Sequence, residues 1–103
     1  MSNDFVDFIL DQLRDLPGVE ARSMFGAHGL YAGDTFFAIA CKGELYFKTD
    51  EKSRGEYERR GMKPFQPSSK QTIRSYLQVP PDVIDSRDEL VKWGRRAIRA
   101  AKA

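Results

Sequence analysis

A chain of 103 residues has room for one hydrophobic core, and 17 basic against 15 acidic side chains leave a net charge of +2. That charge is too small by itself to point to nucleic acid. Cys41 is the only cysteine and His28 the only histidine, which excludes an intrachain disulfide and leaves too few ligands for a zinc site. No basic-then-apolar leader and no apolar run near the ~20 residues of a membrane span is present, so a cytoplasmic protein with no membrane association is expected.

Residues 4–16 predict an amphipathic helix. Phe5, Ile9, Leu13 and Leu16 share a face flanked by Val6 and Leu10, Ser2 or Asn3 can cap it, and Pro17-Gly18 stops it. Residues 20–49 predict an antiparallel meander turned at Gly33-Asp34 and Lys42-Gly43. Its strands are expected at 20–32, broken or bulged around Gly26–Gly29, then at 35–41 and 44–49. Strict alternation in the middle strand puts Phe37, Ile39 and Cys41 on one face and Phe36, Ala38 and Ala40 on the other.

A short helix over 50–60, capped by Asp50 and closed by Gly61, has Tyr57 as its only large apolar side chain and is expected at the periphery. A loop with a brief strand at its start covers 64–70, and a strand over 72–79 ends at Pro80-Pro81. Ser86-Arg87-Asp88-Glu89 fits a capping box that starts a last helix running to about Ala101. Its apolar face is Leu90, Val91, Gly94, Ala97, Ile98 and Ala101, with Trp93 at the edge. The order helix, three strands, helix, two strands, helix predicts one domain over 1–103. The fold class is a two-layer α+β fold, an antiparallel sheet with helices on one face.

Met24-Phe25-Gly26-Ala27-His28-Gly29-Leu30-Tyr31 sets two glycines three residues apart between apolar residues. Gly43-Glu44-Leu45-Tyr46-Phe47-Lys48, Gly61-Met62-Lys63-Pro64-Phe65, Tyr76 with Val79-Pro80, and Leu90-Val91-Lys92-Trp93-Gly94-Arg95-Arg96-Ala97 follow in register. Together they resemble the N-terminal domain of the TfoX/Sxy family of bacterial competence regulators. That pattern is close to Met-Phe-Gly-Gly-x-Gly-Leu-Tyr, with Ala27 here at the second glycine. The resemblance implies a role in transcriptional control of natural transformation genes, exercised with other regulators and not as an enzyme. Longer family members carry a further C-terminal helical-hairpin domain. This chain ends at Ala103, so a stand-alone first domain is expected.

The glycine run lacks the spacing and following helix of a phosphate loop, so Met24, Phe25, Gly26, Gly29, Leu30 and Tyr31 read as structural. Cys41 reads as an inert thiol. Asp4, Asp7, Asp11 and Asp15 lie on one side of the first helix, as a solvated face or as a docking stripe for a basic partner. Lys92, Arg95, Arg96, Arg99 and Lys102 crowd one face of the last helix, and no acid follows Glu89. Helix-end compensation explains cations in the last turn only, so a partner surface competes with that reading.

The sheet offers another candidate. With Phe37, Ile39, Leu45, Phe47, Ile73 and Leu77 toward the helices, Phe36, Tyr46, Lys48, Arg74 and Tyr76 point away. Such a face can stack unpaired bases, be buried in a homodimer, or stand half exposed. No paired acid and base, triad, metal motif or cofactor motif is present, so no cofactor is expected. The resemblance implies a regulatory protein–protein interaction module, with a protein of the transcription machinery or a regulator as partner. Nucleic-acid binding is the alternative.

Overall fold

The computed structural model describes residues 4–24 and 26–102. The caps expected at Ser2 or Asn3, and Phe25 of the glycine motif, lie outside the described residues. Helix α1 (Asp4–Gln12) buries Val6, Ile9 and Gln12. The expected helix to residue 16 gives way to tightened turns, in which Arg14 N–H donates to Asp11 C=O (3.3 Å) and Leu16 N–H to Leu13 C=O (2.9 Å). These turns still carry Leu13 and Leu16 into the core ahead of Pro17.

Six strands follow: β1 (Val19–Met24), β2 (Ala27–Ala32), β3 (Thr35–Cys41), β4 (Glu44–Lys48), β5 (Pro64–Ser68) and β6 (Gln71–Gln78). They form one antiparallel sheet in the order β1-β2-β3-β4-β6-β5. The broken strand expected over 20–32 is thus a hairpin of two strands, with Met24 opposite Ala27. Gly26 makes the reversal possible, since its φ of 77° is a conformation that L side chains rarely adopt.

The alternation expected in β3 is broken by a bulge. Leu30 pairs with Ala38 and Tyr31 with Phe36, so Phe37 is the extra residue. Phe37, Ala38 and Ala40 therefore join the main core, whereas Phe36, Ile39 and Cys41 lie in a second cluster whose described members are all strand residues. Strict alternation had placed Ile39 and Cys41 with Phe37. A similar irregularity, with Pro64 opposite Leu77 but Phe65 opposite Ile73, brings Ile73 into the second cluster too.

Helix α2 (Glu51–Arg59) starts in a full capping box. Ser53 N–H donates to Asp50 Oδ1 (2.9 Å) and Asp50 N–H to Ser53 Oγ (3.1 Å). It closes with Gly61 N–H donating to Glu58 C=O and Met62 N–H to Tyr57 C=O, a Schellman motif. Tyr57 is not peripheral. It is 2% exposed and meets Trp93 edge-on at 4.8 Å between ring centroids.

A short helix absent from the sequence expectation, α3 (Pro81–Asp85), follows β6. Pro81 stops the strand and then opens the helix, because a first-turn proline forfeits no intrahelical bond. Buried Gln12 ties α3 to α1 by donating from Nε2 to Ile84 C=O (2.9 Å).

Helix α4 (Arg87–Lys102) buries Leu90, Trp93, Gly94, Ala97 and Ala100. Trp93 thus sits inside its apolar face, not at the edge, while Val91, Ile98 and Ala101 are half-buried. Half of the expected capping box forms, with Glu89 N–H donating to Ser86 Oγ (3.3 Å). Gly94 allows close approach to the turns after α1 first, since a Cβ there would stand 3.0 Å from Leu16 Cδ1 and 3.7 Å from Phe47 Cζ.

Candidate interaction surfaces

The glycine motif builds the sheet. Its Leu30 side chain is fully buried in the main core, and Gly26 reverses the chain. Gly29 is a different case, with no positive φ. A Cβ on it would lie 3.0 Å from Phe36 Cε1, 3.1 Å from Met24 Sδ and 3.3 Å from Tyr31 Cε1. The missing side chain is the space in which these groups pack over β2. Ala27 is buried in the same second cluster.

Above that space runs a row of rings. Tyr31 and Phe36, directly opposite across β2 and β3, have centroids 5.2 Å apart, and Phe36 and Tyr76 are 5.4 Å apart. Tyr76 Oη–H donates to Phe36 C=O (3.3 Å). Cations bracket the row, with Arg22 4.4 Å from the Tyr31 ring centre and Lys48 5.6 Å from that of Tyr76.

The five residues expected on this face fall into two groups. Phe36, Lys48 and Tyr76 belong to the row. Tyr46 instead packs on Phe65 (5.0 Å), donates to Glu44 Oε2 (2.6 Å) and shares a groove with Arg74. Arg22 and Tyr31 were missed as members of this surface. The signal available was Tyr31 and Phe36 standing symmetrically about the Gly33-Asp34 turn.

Burial pushes the Tyr76 phenol up to about 12, and burial with the Glu44 hydrogen bond pushes Tyr46 higher still. Hydrogen bonds lower three carboxyls: from Ser53 N–H on Asp50, from Arg96 on Glu56, and from Arg60 on Asp82. All these groups move away from neutrality, which suits structure better than proton transfer. Among the described residues no three His, Cys, Asp or Glu side chains gather to hold a metal ion, and no helix is long and apolar enough to cross a membrane.

The basic face of α4 also divides. Arg96 is turned to structure: it pairs with Glu56 at 2.7 Å and lies 5.0 Å from the Trp93 ring centre. Lys92 stands 4.0 Å from Glu89. Arg95, Arg99 and Lys102 are exposed and have no ion pair among the described residues. These three rim an open groove of about 660 Å³, whose apolar floor includes Leu16, Ala32 and Ile98.

The acidic face of α1 does not neutralise them. Asp11 pairs with Arg87 (3.3 Å) at the start of α4 and with Arg14 (3.4 Å), while Asp4, Asp7 and Asp15 are exposed. Phe8 adds a 42% exposed ring to that helix.

A comparison with curated proteins finds no match. The TfoX N-terminal domain family matches residues 11–101, a span that takes in the hairpin, the ring row and all of α4 up to Ala101. It is a regulatory family and not a known enzyme family. With the fold, the glycine motif and this match in agreement, the chain belongs to the TfoX N-terminal domain family.

Proposed function

We propose that this chain is a regulatory protein-binding module of transcriptional control, competence-related as its family suggests, and that it presents α4 to an acidic surface of another regulator or of the transcription machinery. The observation that carries this reading is the groove at the end of α4. Arg95, Arg99 and Lys102 stand without an ion pair among the described residues, over an apolar floor of Leu16, Ala32 and Ile98. Phosphate contacts need hydrogen-bond donors and cations but no apolar floor. An apolar floor under a cationic rim fits a protein segment that brings both an acid and an apolar anchor.

Direct nucleic-acid binding is the second reading. It is favoured by the ring row between Arg22 and Lys48, because bases stack on exposed aromatic faces. Packing within the row works against it, since Tyr76 is only 8% exposed.

The two readings separate in one experiment. The immobilised chain is exposed to lysate of its source cell, with and without nuclease, and eluted with rising salt. The expected result is a protein retained equally in both arms and released by salt. Retention that nuclease abolishes would refute the protein-binding reading in favour of the sheet face.

A further inference from the structure

We propose that β1 is a self-association edge, which pairs antiparallel with β1 of a second copy about a two-fold axis through Ala21. The sheet has two ends, β1 and β5. β5 carries Pro64 and Pro67, which lack N–H donors, and its pairing with β6 shifts register twice. β1 has no proline, pairs with β2 along all six residues without a shift, and buries none of its own side chains. Its outer row of backbone groups is therefore a regular template for another strand.

The charges on β1 also fit a copy of itself. Edge strands are commonly guarded by charge of one sign, above all lysine. Here the exposed pair Glu20 and Arg22 cancels, with 3.0 Å between Arg22 Nη2 and Glu20 Oε1. Both lie on the helix-free face, as Arg22 stacks on Tyr31 there, while Val19 and Ala21 pack against the main core.

These positions select one register. Facing residues of an antiparallel pair share a sheet face, so no axis can fall between two residues, which would set Ala21 against Arg22. An axis through Glu20 sets Glu20 against Glu20, and one through Arg22 sets Arg22 against Arg22. Axes farther out pair only an end of the strand. An axis through Ala21 pairs Val19 with Ser23 and sets Glu20 against the partner's Arg22 twice, so four charges alternate in sign. The helix-free faces of the two sheets then run together, with the two ring rows meeting across Arg22.

Light scattering of the full chain over rising concentration tests this, with each variant's circular dichroism confirming its fold. The wild-type mass should climb from 11.8 kDa toward about twice that value. Glu20→Arg and Arg22→Glu each turn the alternating cluster into like charges, and each alone should weaken association roughly tenfold or more. An equimolar mixture of the two variants should associate as mixed dimers, because both arginines of one chain then face the two glutamates of the other. The double exchange Glu20→Arg with Arg22→Glu should associate like the wild type. A wild-type chain monomeric at millimolar concentration would overturn the proposal. So would single variants that still dimerise, or a mixture that does not restore what each variant lost.

Discussion

The two faces of the sheet bury apolar groups by different means. On the helix side, α1, α2, α3 and α4 cover Leu30, Phe37, Leu45 and Phe47, all of them fully buried, and Trp93 meets Tyr57 edge-on beneath Arg60 and Arg96. On the other side no helix contributes to the cluster among the described residues. Rings laid over Gly29 cover one another, and Arg22 and Lys48 close the two ends of the row. One face is a core that needs other elements. The other is a surface that the strands cover with their own side chains, at the expense of leaving Tyr31 and Phe36 half exposed. Stability should therefore concentrate in the first, and sensitivity to added volume in the second.

The largest effect should come from the helix side. Trp93→Ala removes a ring that is 2% exposed, together with its contacts to Tyr57 and the two guanidinium groups. Denaturant unfolding should show a loss of about 3–5 kcal/mol. A loss under about 1 kcal/mol would mean that the covered face is not the stabilising one.

The open face should respond to one added methyl. Gly29→Ala puts a Cβ about 3 Å from the Phe36 ring and the Met24 sulfur, and overpacking of this kind costs about 1–3 kcal/mol. Phe36→Leu in the same chain should recover part of that loss, so the double mutant is better than additive. Additive losses in the cycle would show that Gly29 is needed for its backbone and not for the rings above it.

A smaller effect concerns acid. Arg96 lowers the Glu56 carboxyl by its 2.7 Å hydrogen bond. A carboxyl lowered in the folded state adds stability above its unfolded pKa and loses it as pH falls through the folded value. Stability should thus decline below the ordinary carboxylate range. Glu56→Gln should flatten part of that decline while leaving stability near pH 2 unchanged. An identical pH profile in the variant would remove the pair from the account.

Much of this contrast was legible in the sequence, and the exceptions have physical causes. Helix-period spacing located α1 and α4, Asp50 and Gly61 bracketed α2, and the turns at Gly33-Asp34 and Lys42-Gly43 set the meander. Alternation failed where an extra residue entered a strand. The Phe37 bulge is chosen by the Leu30–Tyr31 partner segment, which a local pattern does not contain, and it moved Ile39 and Cys41 to the open face. Tyr57 looked peripheral because its helix carries no other large apolar group. Its burial depends on Trp93, 36 positions away.

The basic stripe was visible as composition, but its division was not. Arg96 is held by Glu56 from another helix, whereas Arg95 and Arg99 point over a groove floored from α4, β2 and the turn after α1. Spacing along one helix contains none of these partners.

The smallest stability effect expected here carries the most functional weight. Arg95→Glu with Arg99→Glu alters two exposed side chains with no ion pair among the described residues, so unfolding free energy should change by no more than about 1 kcal/mol, from the reversed charge near the helix end. Capture of the protein partner from nuclease-treated lysate by this double variant, beside the wild type at equal loading, tests the central claim most directly. Loss of the salt-sensitive partner with the fold intact is the result that binding through α4 predicts. Undiminished capture would contradict it and remove the α4 groove as the binding surface.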